Sequence, residues 1–333
     1  MAIGSPKRKL VSIIIPARNE EENIPRVEKE VTSALAGLDY DFEFIIVDNA
    51  STDRTRALAL DLCARDDRWR YVRFSRDFTV EASMTAGYRL AQGDAMVVLY
   101  SDLQDPPEAV TRLLAKWEEG FDVVYGVRTV RPGDARWRNF LVDKVYRTIR
   151  RLSDPPIPRN AGDFRLISRR VRDALNECGE YNRYMRGLIS WLGFRQAGVE
   201  YERRPRLAGK SNAPFWDLVS FTFNAVTSFS LKPLRVFTAA GFVLLGLSVG
   251  AIPVYVGLFF AGHPPAGITT VIILLLFAIG LNSLGVGVLG EYLGRTYAET
   301  KRRPLYLIEE VVNIGEWNDA SPATRGGPPR LSI

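Results

Sequence analysis

The stretch "VLYSDLQDPPE" (98–108) carries an apolar run abruptly into Asp102, Gln104 and Asp105, then into two prolines and Glu108. Carboxylates and an amide at the end of a buried strand either cap the following helix or hold a ligand. Asp102 and Gln104 offer hard oxygen donors, suited to Mg2+ or Mn2+ bridging phosphates. Asp105, just before Pro106, is the expected N-cap of a helix that starts at the prolines and stops at Gly120. Three other strand ends carry comparable chemistry: "IIIPARNEEEN", "IIVDNASTDRT" and "VVYGVRTVR". Asp48 can accept a base N–H or a ribose hydroxyl. Arg128 and Arg131 suit phosphate charge. Asp53 reads as a helix cap, and Ser51 and Thr52 as a turn.

These side chains need a scaffold that brings strand ends together, and the pattern supplies one. "LVSIIIP", "FEFIIVD", "WRYVRFS", "DAMVVLYSD" and "DVVYGVR" read as strands, with helices expected over 20–36, 53–66, 79–92 and 107–119. Such alternation predicts an α/β unit with a mostly parallel sheet covered on both faces. In such sheets ligands sit off the carboxyl ends of the strands. All four polar motifs lie at those ends.

The second half changes character. Residues 214–233 place Phe215, Leu218, Val219, Val226 and Phe229 on one helical stripe, which predicts an interfacial amphipathic helix. Two apolar segments follow, about 237–261 and 267–290, each beyond the roughly 20 residues that span a bilayer core. They predict a transmembrane hairpin over 234–294. Lys232 and Arg235 precede it, and Arg295, Lys301, Arg302 and Arg303 follow, so both flanks are expected in the cytoplasm, with His263 in the short loop opposite. The expected divisions are a cytoplasmic domain (1–213), the interfacial helix, the hairpin, a juxtamembrane segment (295–317) and a disordered tail (318–333).

Composition excludes several classes. The formal charge of +6 suits a membrane surface or phosphate-rich ligands. No zinc-finger spacing, RNP-like motif or basic zipper points to nucleic acid. The two cysteines, Cys63 and Cys178, form no CxxC pair, which argues for a reducing compartment. With a single histidine, chemistry in the N-terminal unit must use carboxylates or need no strong base. "GVGVLG" (285–290) fits a dinucleotide fingerprint but follows no strand; close helix packing explains it better, as it does Gly246 and Gly250. "NAS" at Asn49 fits a glycosylation acceptor, but the expected topology keeps it cytoplasmic.

The motifs in order, "PARNEEENI", "VDNASTDRT", "SRDFTVEASMTAG", "SDLQDPPE", "GVRTVR", "GDFRLISRRV", "RLAGKS", the hairpin and "RRPLYLIEEVVN", cover about residues 10–312. Together they resemble the family 2 glycosyltransferases of GT-A fold, in the polyprenyl-phosphate branch that includes bactoprenol glucosyltransferases and dolichol-phosphate mannose synthases. The resemblance implies inverting, metal-dependent transfer of a sugar from a UDP-sugar to polyprenyl phosphate, at the cytoplasmic face of the inner membrane. It implies that Pro16, Arg18, Glu20, Asp48 and Asp102 bind the nucleotide sugar, with Asp48 on the uracil, and that Asp102 and Gln104 hold Mg2+ or Mn2+. Arg128, Arg131, Arg206, Lys210 and Ser211 would meet the donor and acceptor phosphates, and Asp163 would be the acceptor-side base. A homo-oligomer, by resemblance a tetramer, is the implied assembly.

Three departures stand out. The family's "VDDGS" is "VDNAS" here, Tyr100 replaces the first acid of "DADLQ", and Asn212 replaces the lysine of "RxxGxSK", with Lys210 two residues earlier. They keep a second reading in play, a degenerate transferase acting as a membrane scaffold. A processive polysaccharide synthase is disfavoured because no QxxRW motif is present. One hairpin without buried charges offers no transport pathway unless several chains assemble.

Overall fold

The computed structural model describes residues 8–129, 161–204, 232–261 and 267–314. The strands are β1 (Leu10–Ala17), β2 (Asp41–Asp48), β3 (Trp69–Phe74), β4 (Ala95–Val98), β5 (Val123–Arg128), β6 (Ala161–Ser168), β7 (Gln196–Tyr201) and β8 (Ile308–Val312). The helices are α1 (Ile24–Leu35), α2 (Thr55–Arg65), α3 (Val80–Leu90), α4 (Ala109–Glu118), α5 (Arg169–Glu177), α6 (Met185–Trp191), α7 (Lys232–Phe260) and α8 (Ile268–Thr300). The strands form one sheet in the order β7-β5-β6-β4-β1-β2-β3-β8. The β1–β2, β2–β3, β1–β4 and β5–β7 pairs are parallel, whereas β6 and β8 pair antiparallel.

The near-continuous apolar character of the central strands follows from cover on both faces. Ile13, Ile15, Phe44 and Ile46 pack against α1, α2 and α4, while Ile14, Ile45, Val47 and Val98 face α3, α5 and α6. Gly87 lets α3 approach closely, since a Cβ there would stand 2.2 Å from Ile14 Cγ2. The chain runs β1, β2, β3 outward and then returns to place β4 on the other side of β1. Between β1 and β4 the direction of winding therefore reverses, which is where doubly wound sheets open a ligand crevice.

Several sequence expectations need adjustment. Asp105 is not the cap of α4, because the helix begins at Ala109, beyond both prolines, with Glu108 at its N-cap. The Asp105 carboxylate is instead 1 % exposed; it accepts the Tyr201 hydroxyl and lies 3.5 Å from Arg203 Nε. Asp53 does serve the start of α2: its Oδ1 accepts the Thr55 N–H at 2.9 Å and its Oδ2 the Glu21 N–H at 3.1 Å. The globular unit expected to end at residue 213 also recruits a strand from beyond the hairpin. β8 pairs with β3, and Tyr306 buries its ring against Phe74 at 5.1 Å between centroids.

α7 and α8 are each long and apolar enough to cross a bilayer, over Val236–Leu258 and Phe277–Thr300. With 33 residues α8 measures about 50 Å, more than the roughly 30 Å hydrocarbon thickness. Its last turns therefore reach the globular unit, where the Glu299 carboxylate accepts the Tyr181 N–H at 2.8 Å and the Asn182 N–H at 3.3 Å. Of the hairpin glycines, Gly285 lies against Phe237, but a Cβ on Gly246, Gly250, Gly287 or Gly290 would meet nothing within 4 Å. Among the described residues, close packing within the chain thus accounts for Gly285 but not for the other four. The amphipathic segment 214–231, the His263 loop and the tail lie outside the described residues.

Candidate active site

The ends of β1 and β2 are locked to each other. Asn19 adopts a left-handed backbone (φ 53°), donates its N–H to Ser51 Oγ at 2.9 Å and accepts the Thr52 N–H at 2.8 Å on Oδ1. Ala50, where the family has glycine, is also left-handed (φ 55°), a conformation that places Cβ against the backbone. Asp48 lies beneath this turn, 0 % exposed. Its carboxylate accepts the Ser51 N–H at 2.8 Å, the Tyr71 hydroxyl at 2.6 Å and Arg73 Nη1 at 2.9 Å. Its neighbour Asn49, and not Asp48 itself, lines the cavity beside this turn.

A cavity of about 320 Å3 opens at the reversal point, walled by Pro16, Arg18, Glu20, Asn49, Tyr100 and Asp102 among others. Three of the expected nucleotide residues are thereby gathered with Asp102, while Asp48 supports the floor from behind. Arg18 pairs with Asp77 at 2.7 Å, and Asn49 Nδ2 donates to Asp77 Oδ1 at 2.9 Å. The Phe78 N–H returns a bond to Asn49 Oδ1 at 2.8 Å, fixing the amide orientation. Ser101 donates to the Pro16 carbonyl at 3.3 Å and so ties the β4 loop to β1.

Asp102 and Gln104 flank Leu103, whose φ of 48° is costly for a branched side chain. Leu103 is buried, so packing holds the strained turn, and strain of this kind concentrates at ligand clamps. The Gln104 N–H donates to Asp102 Oδ1 at 3.2 Å and its carbonyl accepts the Arg204 N–H at 2.8 Å. Among the described residues no group of three His, Cys, Asp or Glu could cage a metal by itself. One carboxylate on a cavity wall suits instead a Mg2+ or Mn2+ that takes its remaining oxygens from a diphosphate and water.

Asp163, on β6, faces the same end of the sheet. Arg186 of α6 grips it at 2.7 and 2.6 Å, and the Tyr100 hydroxyl lies 3.1 Å away. Burial alone would raise this carboxyl, but the Arg186 hydrogen bonds and charge, with Arg165 behind, bring it down to about 2. Burial, and secondly the Asp163 charge, push the Tyr100 phenol upward, so it stays a neutral donor. A carboxylate held this low is a poor proton acceptor.

Arg128, at the end of β5, lies 3.3 Å from the Tyr201 hydroxyl, which in turn binds Asp105; Arg203 borders the same group. Gly162 admits the Arg128 guanidinium, which would stand 2.8 Å from an added Cβ. Arg131, Arg206, Lys210 and Ser211 lie outside the described residues. Four functional candidates escape a sequence reading: Asn49, Asp77, Arg186 and Arg203. Asp77 lies in the "SRDFTVEASMTAG" motif. Arg186 lies in a seven-residue helix without one, and only the fold delivers it to Asp163.

Residues 12–175 match the family described as Glycosyl transferase family 2. The chain is 37% identical over 302 residues to an uncharacterized glycosyltransferase of Synechocystis sp., covering 90% of this chain and 95% of that one. It is 37% identical to the bactoprenol glucosyl transferase of Shigella phage SfX (90% and 98% covered) and 36% to a prophage bactoprenol glucosyl transferase homolog of Escherichia coli K12 (90% and 99%). Among solved structures it resembles the glucosyl-3-phosphoglycerate synthase of Mycobacterium tuberculosis in complex with Mn2+, UDP and phosphoglyceric acid. The TM-score is 0.49 at 21% identity, over 66% of this chain and 77% of that one.

Proposed function

Because the chain belongs to the family 2 glycosyltransferases, with their GT-A fold, we propose that its cavity binds the UDP portion of a nucleotide sugar and that the sugar passes to a polyprenyl phosphate at the cytoplasmic membrane face. The carrying observation is the cavity at the β1–β4 reversal, with Asp102 and Asn49 on its wall. The printed names of the bactoprenol relatives, matched over nearly their whole length, support the lipid acceptor. The apolar hairpin, both of whose outer ends are basic, supports the membrane and its inner face.

In this reading Pro16, Arg18, Glu20 and Asn49 hold the nucleoside, and Asp48 keeps their loops in place. Asp102, with Gln104 beside it, would bind Mg2+ or Mn2+, which supplies charge neutralisation for the departing diphosphate. Arg128 and Arg203, joined by Arg131, Arg206, Lys210 and Ser211, meet the phosphates. One acceptor phosphate oxygen forms the bond to the anomeric carbon as the bond from that carbon to UDP breaks; UDP leaves with the electron pair and the configuration inverts. A phosphate monoester is largely dianionic at pH 7, so no base is required. Asp163 then works as a fixed anion that orients Arg186 and Tyr100 rather than as a proton acceptor.

Full-length protein in membranes carrying undecaprenyl phosphate should move radiolabel from a UDP-sugar, UDP-glucose first, into the lipid fraction. Undiminished transfer by Asp102→Ala would sink the assignment.

A further inference from the structure

A second cavity, about 450 Å3, opens where the end of α8 meets the globular unit. It shares Asp77 and Phe78 with the nucleotide cavity, and its other walls include Arg76, Glu81, Arg183 and Arg295. Arg183 is only 7 % exposed. Its Nε donates to the Glu180 carbonyl and its Nη2 to the Cys178 carbonyl, but Nη1 is buried with no hydrogen-bond partner among the described residues. A buried guanidinium N–H left unmatched is costly, and an anion is the ligand that would satisfy it. Arg76 sits at one rim, stacked 3.9 Å over the Phe78 ring, and Arg295 comes from α8 itself. The N-terminal turn of α3, capped by Thr79, adds its dipole to the same wall.

The two acids present oppose an anion only weakly. Asp77 is already engaged by Arg18 and Asn49, and burial raises the Glu81 carboxyl towards its neutral form. Glu81, on the wall of this cavity, also lies within electrostatic reach of Asp163 and Arg186. Its outer wall exists because Glu299 of α8 holds the backbone of Tyr181 and Asn182.

We propose that this cavity, through Arg76, Arg183 and Arg295, receives the phosphate head of the lipid acceptor on its way from the membrane to the nucleotide sugar. The proposal rests on the acceptor reading above and adds a site on the α3 side of the sheet, apart from Arg128 and Arg203.

Full-length protein in phosphatidylcholine nanodiscs would be titrated calorimetrically with farnesyl phosphate, inorganic phosphate and farnesol. Arg183 also holds two backbone carbonyls, so the rim variant Arg76→Gln/Arg295→Gln carries the test. It should bind farnesyl phosphate at least about tenfold more weakly, the loss expected from removing charge-assisted hydrogen bonds, with UDP affinity unchanged. An unchanged Kd for farnesyl phosphate would overturn the proposal. Inorganic phosphate binding as tightly as farnesyl phosphate would overturn the lipid source. If wild-type protein binds farnesyl phosphate through these arginines yet glycosylates no polyprenyl phosphate, the site stands and the transferase assignment fails.

Discussion

Asp48 and Asp102 follow the two strands that flank β1, and both were expected to touch the donor, yet the fold places them differently. Asp48 is sealed behind a turn and receives three strong donors from its own chain. Asp102 stands half-buried on a cavity wall, in a strained turn held by Leu103. Two carboxylates with the same position in the sequence grammar thus take different places in the fold, one sealed by donors of its own chain and one on a cavity wall.

The largest effect that could break this contrast is catalytic. Asp102→Asn should lower kcat by about 100-fold or more, as losing one preorganised charge-stabilising group does, while the unfolding free energy changes by less than about 0.5 kcal/mol. Radiolabel transfer and thermal unfolding on the same preparation would check both. Asp48→Ala should show the reverse priority, losing about 1–3 kcal/mol of stability because the buried Tyr71 hydroxyl and the Ser51 N–H lose their acceptor, whereas Arg73 keeps Glu309 and the Ser51 carbonyl. If Asp48→Ala unfolds like wild type, the structural role of Asp48 fails.

A third carboxylate sharpens the comparison through pH. Asp163 is lowered from 3.8 to about 2 in the folded state, so its stabilisation is present above about pH 4 and disappears as pH falls towards 2. The difference corresponds to about 2 kcal/mol. Unfolding midpoints measured from pH 5 to pH 2 should fall more steeply for wild type than for Asp163→Asn. The smallest effect concerns Ala50. With φ at 55°, Ala50→Gly should gain about 0.5 kcal/mol, because relief of the Cβ clash exceeds the added freedom of the unfolded chain. Denaturant midpoints would read it, and a loss of stability would show that the turn is not strained.

Much of this was legible beforehand for physical reasons. Period-2 and period-3.6 patterns placed β1 to β5 and α1 to α4, and the polar strand ends pointed to the cleft. The errors have causes of equal clarity. Asp105 has the sequence grammar of a cap, but Tyr201 at the end of β7 and Arg203 just beyond it, both far along the chain, approach its Oδ1. β8 is a short alternating run following an apolar hairpin, and no local signal announces that its partner is β3. Arg186 is invisible for the same reason: its significance is entirely a matter of where α6 lands. Tyr100, conspicuous as a missing acid, becomes intelligible once Asp163 is seen beside it, since its hydroxyl reaches across to donate to that carboxylate at 3.1 Å.

β8 also constrains how the molecule is made. A chain emerging N-terminus first completes β1 to β7 before the apolar hairpin, yet the β3 edge stays open until residues 308–312 arrive. During that interval the nascent sheet presents an unpaired edge, the feature through which sheets associate wrongly. Synthesis of the hairpin therefore precedes closure of the sheet, and a fragment cut before α7 would keep the residues around Asp102 but lose Arg295 and Leu305 from the second cavity, while carrying that open edge permanently.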